Sequence, residues 1–291
     1  MASVRMGLLV LGFVFLSTNI LAGDGCGFQY SNECTSTPTD GCNVWRSTTF
    51  QPGTYVLPHG IDFCNGVTLD CNGAVLTSGV NDSSSVGISI AITKMNIKNC
   101  VVENYYTGIR GGSAPVIESN FTSNTVRFNR ENGFFFSSPL TRVTFENNVL
   151  NFNGQNGLYH SSGYLITLLN NTADYNGQNG FYSFSSASVM FGNTANYNGQ
   201  NGFISSGSST MSDNTASYNG LQGFYIFGNY LNFENNTANY NSVYGFFFPF
   251  ASNSFFTLNK ANSNNQTGMV FSSSSSNNVF SLNDVQSNGG Y

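Results

Sequence analysis

Charge is scarce in this chain: Asp, Glu, Lys and Arg make up 8% of its 291 residues. Nine Lys and Arg against 14 Asp and Glu cannot build the basic surface that nucleic acid requires. Histidine occurs twice, as His59 and His160, about four repeat units apart. A copper or zinc centre needs clustered His, Met or Cys, so no metal and no cofactor is expected. Both histidines are read as ordinary surface or edge residues. Cysteine stops at Cys100, and no C-x-x-C occurs, which argues against a zinc knuckle or a redox dithiol. After the first 20 or so positions there is no apolar run long enough to cross a membrane as a helix. No helical period appears anywhere.

The N-terminus reads as a secretory signal over residues 1–22. Met1 to Arg5 is a short basic start, Gly7 to Leu16 is unbroken apolar sequence, and Ala22 is a small residue before cleavage. A secreted or cell-surface location follows, and the even cysteine count agrees with it. Cys26, Cys34, Cys42, Cys64, Cys71 and Cys100 can form disulfides, in any of fifteen pairings. Residues 23–50 are Cys- and turn-rich and carry Trp45, the single tryptophan. They are expected to cap the open end of whatever stacks behind them.

What stacks behind them is a repeat, occupying residues 51–291. Its unit is N-x-Φ-x-x-N-x-x-x-G-Φ, with Φ apolar. The first Asn falls at Asn99, Asn124, Asn148, Asn171, Asn193, Asn214, Asn236, Asn259 and Asn283. The second follows five residues later at Asn104, Asn129, Asn153, Asn176, Asn198, Asn219, Asn241, Asn264 and Asn288. Copies are 21 to 25 residues apart while the internal offsets stay constant. In Asn171-Thr-Ala-Asp-Tyr-Asn176 the period is two, with Thr172 and Asp174 on one side and Ala173 and Tyr175 on the other. Gly-Φ supplies a second short strand, and an apolar residue three before the first Asn marks a third.

Three short strands per unit predict an all-β, right-handed parallel β-helix of about ten coils. Equal register positions then lie above one another at roughly 4.8 Å. The two Asn positions should form ladders, each amide donating to one neighbour and accepting from the other. Asn and the unit's Gly also suit left-handed corners. The residue after that Gly is apolar in every copy and should be the core. The chain reaches Tyr291 within a unit, which leaves self-association at that end as an expectation.

Val67-Thr-Leu-Asp-Cys-Asn-Gly73, Met95-Asn-Ile-Lys-Asn-Cys-Val-Val102 and Tyr106-Thr-Gly-Ile109 resemble the opening coils of exported right-handed β-helix proteins. The likeness is to the NosD and carbohydrate-binding/sugar-hydrolase type within the pectin lyase-like superfamily, and it covers residues 50–291. The resemblance implies the fold. It implies no single activity, because that superfamily holds lyases, hydrolases, adhesins and proteins without assigned chemistry.

Two sets of residues are candidates for function. Charges concentrate between Lys94 and Glu146, and there Glu103, Arg110, Arg127 and Arg130 could serve a polysaccharide lyase or hydrolase. Glu118 and Arg142 share a register in adjacent units and should form an ion pair. The second set is the column two residues after Gly, expected to face outward: Arg110, Phe135, Tyr159, Tyr182, Ile204, Tyr225, Phe247 and Val270. Its aromatic members Phe135, Tyr159, Tyr182, Tyr225 and Phe247 could meet a polysaccharide or a surface protein. Binding without catalysis is the favoured expectation, with the enzyme and a self-associating spacer as alternatives.

Overall fold

A computed structural model describes residues 32–64, 66–80, 82–91 and 93–290. Its strands pair in parallel with the same register position of the next coil. Ile109 lies against Phe134, Phe134 against Leu158, Leu158 against Phe181 and Phe181 against Phe203. About ten coils stack in this way into a parallel β-helix with three faces. Face A runs from Cys42–Val44 through Thr107–Gly111 and Leu158–His160 to Met269–Phe271. Face B runs from Thr48–Thr49 through Asn120–Thr122 to Val279–Ser281. Face C begins as strands Thr54–Val56, Val75–Thr77, Val101–Glu103 and Thr125–Arg127. It then thins to one bridging residue per coil: Val149, Thr172, Thr194, Thr215, Thr237, Lys260 and Asp284.

Residues 33–50 do not sit apart from the stack. Cys42–Val44 pairs with Ile61–Phe63, and Thr48 pairs with Leu69, so this segment is itself the first coil. Disulfides join Cys34 to Cys42 and Cys71 to Cys100. Cys64 is also disulfide-bonded, while Cys26 lies outside the described residues.

The interior is built from stacked side chains. Phe134, Phe181, Phe203, Phe224 and Phe246, each following a Gly, are fully buried. Successive rings in the run Phe181, Phe203, Phe224, Phe246 lie 4.8–5.0 Å apart. Phe121, Phe145, Leu168, Met190, Met211, Phe233 and Phe256 form a second buried column, and Ala173, Ala195, Ala216, Ala238 and Ala261 a third. A fully buried Phe contributes roughly 1.5–3 kcal/mol, so these columns dominate stability.

Amide ladders hold the corners. Asn171 Nδ2 donates to Asn193 Oδ1 at 3.0 Å and to the Phe145 carbonyl at 2.8 Å, and its N–H also donates to Asn193 Oδ1. The same arrangement runs from Asn124 through Asn148, Asn171, Asn193, Asn214, Asn236 and Asn259 to Asn283. A second such chain runs from Asn129 to Asn288. Asn99 and Asn104 stand one residue off these ladders. The N–H groups that meet Asn124 and Asn129 belong to Cys100 and Tyr105. Asn99 instead donates to Asp70, and Asn104 to Thr77.

Two expectations about the corners are corrected. The left-handed residue is the one before each ladder Asn: Ser123, Asn147, Asn170 and Asn235 before the first, Phe128, Phe152, Tyr175 and Tyr240 before the second. The ladder Asn needs its side chain aligned with the axis, so the preceding residue makes the turn. That turn also breaks the period of two, so Tyr175 points outward although Ala173 points in. Nor does the unit's Gly adopt positive φ. It is required by space: a Cβ at Gly202 would lie 2.6 Å from Ala216 Cβ and 2.7 Å from the Gly223 carbonyl oxygen.

A further ladder went unread in the sequence. Asn156 Nδ2 donates back to Asn132, Asn179 to Asn156 and Asn201 to Asn179, at 2.8–2.9 Å. These are the Asn residues directly before the Gly, and the ladder runs opposite in sense to the other two.

Candidate functional site

Outward positions on face A line up as a single column. Asp62, Ser89 and Arg110 occupy consecutive rungs, followed by Phe135, Tyr159 and Tyr182. Parallel pairing without slip keeps these side chains in file. Burial raises the Asp62 carboxyl above its ordinary range, with a hydrogen bond from Ser89 partly opposing. The Arg110 guanidinium lies 5.9 Å from the Phe135 ring centre. Phe135 stacks on Tyr159 at 5.2 Å and Tyr159 on Tyr182 at 4.8 Å. Burial, then the neighbouring Tyr159, raises the Tyr182 phenol. Beyond Ile204, which is nearly buried, the column resumes with Tyr225 on Phe247 at 5.1 Å. These aromatic rings are half-buried, and each is packed face to face against its neighbours, so their edges are what meets solvent.

A second aromatic column is more exposed, although the period of two sets its Tyr175 on the same side as the buried Ala173. Phe128, Phe152, Tyr175, Tyr197, Tyr218 and Tyr240 lie at the left-handed corner, each about half exposed. Their rings form one continuous stack with centre-to-centre steps of 4.8–5.3 Å and interplanar angles of 4–19°. The signal for this column was in the sequence, since an aromatic precedes the second Asn in six successive units. Period-two reasoning misdirected it.

The charged candidates are spread over face C, face A and the turn between them. Glu103 and Arg127 meet on face C, Arg127 Nε donating to Glu103 Oε2 at 2.9 Å, with the Arg127 guanidinium 5.3 Å from the Phe128 ring centre. Arg110 belongs to face A. Arg130 lies beside Tyr106, whose phenol donates to Glu131 at 2.6 Å; that hydrogen bond raises the phenol above its ordinary range. Arg142 and Lys94 both pair with Glu118, at 3.1 and 3.7 Å. Lys98 pairs with Asp70 at 3.1 Å. Among the described residues no three His, Cys, Asp or Glu gather as a metal-binding group.

The histidines differ from expectation in one case. His59 is exposed and clasped by Asp40, which accepts from its backbone N–H and faces its Nδ1, both at 2.7 Å; this raises the imidazole. His160 is fully buried, not at the surface. It continues the inward column below Phe136, with Nε2 2.6 Å from Ser183 Oγ. Desolvation lowers it to about 4, with only partial opposition from the Ser162 backbone. It is a neutral core residue.

The family described as right handed beta helix region matches residues 59–213 and 192–291. No curated protein sequence matches the chain significantly. Among solved structures, the A-module of the Azotobacter vinelandii mannuronan C-5 epimerase AlgE4 is similar with a TM-score of 0.61 at 14% identity. That alignment covers 84% of this chain and 89% of the module. The pectate lyase Pel9A is similar with a TM-score of 0.54 at 18% identity, over 87% of this chain and 72% of the lyase. At these identities the likeness is one of fold.

Proposed function

The chain belongs to the right-handed β-helix family, and from that premise we propose that it is an exported, non-catalytic scaffold that binds an extended glycan. The observation that carries this reading is the outward file of Arg110, Phe135, Tyr159 and Tyr182 on face A. It offers a guanidinium, ring edges and phenolic hydroxyls at a fixed rung spacing of roughly 4.8 Å. A ligand with its own linear repeat can meet such a row without rearrangement, because the ladders beneath hold every rung. The neighbouring charges support binding over chemistry, since Glu103, Glu118 and Asp70 are each taken up in ion pairs. Export is supported by the disulfides.

The test is a glycan array with the full chain, followed by Tyr182→Ala and Tyr225→Ala. Binding that weakens at least tenfold in these variants fits the reading. An array without binding removes it.

One observation favours a second reading. Asp62, Ser89 and Arg110 place a carboxyl of raised pKa, a hydroxyl and a cation on consecutive rungs. That combination suits proton transfer on an acidic polysaccharide. Unsaturated or reducing ends released from pectate or alginate, and abolished by Asp62→Asn, would establish it.

A further inference from the structure

The exposed stack from Phe128 to Tyr240 has two ends, and they are not alike. At the first, Arg127 lies over Phe128. At the other, Tyr240 has Tyr218 on one side at 4.9 Å and, among the described residues, no ring on its other side. The next residue in the column is Ser263, and the one after it Ser287. Ser263 has the corner conformation of the ring-bearing positions, φ 57° against 58° at Tyr240. Its N–H donates to Gln286 O at 3.0 Å, as the Tyr240 N–H donates to Asn262 O at 3.1 Å. The backbone of the stack therefore continues one more rung, while the ring that would stand on it is replaced by a hydroxymethyl group.

The notch that results has the Tyr240 face as its one wall and the small residues Ser263 and Ser287 as its floor. Inside the stack every ring face is covered by the next ring, so a ligand can reach only edges there. Among the described residues, the Tyr240 face is the one π-surface of the stack that faces no protein ring or cation. Resting on the glycan reading above, we propose that this notch holds one pyranose unit, seated on Tyr240 at the place of a seventh ring. The polarised C–H groups of a pyranose suit the negative face of the phenol ring. Its hydroxyls meet the Ser263 hydroxyl and water. A planar aromatic would also stack on Tyr240, but would leave the Ser263 hydroxyl without a partner. A ring over Ser263 takes one rung of roughly 4.8 Å, and the rung at Ser287 stays open beyond it.

The experiment titrates the full chain with cellohexaose, mannohexaose, chitohexaose, oligogalacturonate and oligomannuronate, followed by calorimetry and saturation-transfer NMR. Tyr240→Ala removes the wall, and Ser263→Leu covers the Tyr240 face with an aliphatic side chain that offers no ring of its own; Leu already occupies left-handed corners at Leu258 and Leu282. Circular dichroism and the thermal midpoint establish that each variant is folded. Both variants should weaken binding of the active saccharide at least tenfold, and Tyr197→Phe, inside the stack, should leave it unchanged. Binding that survives Ser263→Leu and Tyr240→Ala but is lost in Tyr182→Ala overturns the notch and leaves the glycan reading standing. Wild-type protein that binds none of the saccharides overturns both.

Discussion

Cys100 and Asn124 hold the same place in consecutive coils: the Cys100 N–H donates to Asn124 Oδ1 at 3.1 Å, as the Asn124 N–H donates to Asn148 Oδ1 at 3.0 Å. The first amide ladder is thus headed by the Cys71–Cys100 disulfide, which takes the ladder's place where the stack begins. Its loop of 29 residues implies a stabilisation of about 3–4 kcal/mol by chain entropy. Replacing both cysteines by Ala should cost about that much. Replacing both by Asn should recover part of it, because two more amides extend the ladder. Denaturant midpoints of the two double variants decide; equal midpoints would show that the ladder cannot be prolonged.

Asn193 shows what one ladder amide holds. Its Nδ2 donates to the Leu168 carbonyl and to Asn214, while its Oδ1 accepts twice from Asn171. Asn193→Ala strands these buried groups, and a loss of roughly 2–5 kcal/mol is expected. Asn193→Asp keeps the shape but points a carboxylate at two acceptors. Its folded pKa must rise above the unfolded value near ~3.9. The variant is therefore most nearly native below that pH and loses stability as pH rises through and beyond it. Thermal midpoints at pH 3.5 and 7 check the sign.

His160 makes the wild-type protein sensitive to acid. With its folded pKa lowered to about 4 from 6.5, the folded and unfolded chains are both neutral there above about pH 7. As pH falls through 6.5 toward 4, the unfolded chain takes a proton that the folded one refuses. Stability should drop by about 3 kcal/mol across that window. Burial raises Asp62 and Asp174, which act in the opposite sense toward the acid end of that window. His160→Gln should flatten the pH dependence of the midpoint between 7 and 4.5. An unchanged slope would assign the dependence to other groups.

Two glycines separate space from conformation. Gly202→Ala drives a methyl group into Ala216 and the Gly223 carbonyl, and a cost above about 2 kcal/mol is expected. Gly73 has open space around it but φ of +80°, so Gly73→Ala should cost about 1 kcal/mol. Urea titrations of the two variants rank them.

The coil, its three faces and the buried Phe column were legible because parallel stacking turns equal sequence offsets into equal positions in space. That same rule explains why Asn99 and Asn104 misled. The turn after Tyr105 is one residue shorter, so the matching letters stand one place off the ladder. Tyr175 and its column were misplaced because alternation holds only along a strand, and the left-handed residue before each second Asn ends it. His160 could not be placed inside from composition, since a lone His beside Tyr159 carries no burial signal. The notch at Ser263 was invisible for a different reason. It is the absence of a ring in a column whose outward direction only the backbone reveals.

The ladders also bear on how the protein ages. Asn176-Gly177, Asn179-Gly180, Asn198-Gly199 and Asn201-Gly202 are steps at which the glycine nitrogen readily attacks the side-chain amide, releasing ammonia and leaving an acid. Here both reactants are engaged: Asn176 Nδ2 donates to Leu150 O and Asn198 Oδ1, and the Gly177 N–H donates to Asn153 O. Folding therefore shelters these ladder steps, while the exposed Asn72-Gly73 step lies outside the ladders. A molecule that has been unfolded for long returns with carboxylates in its ladders and cannot rebuild them. The coil thus keeps a chemical record of whether it has ever come apart.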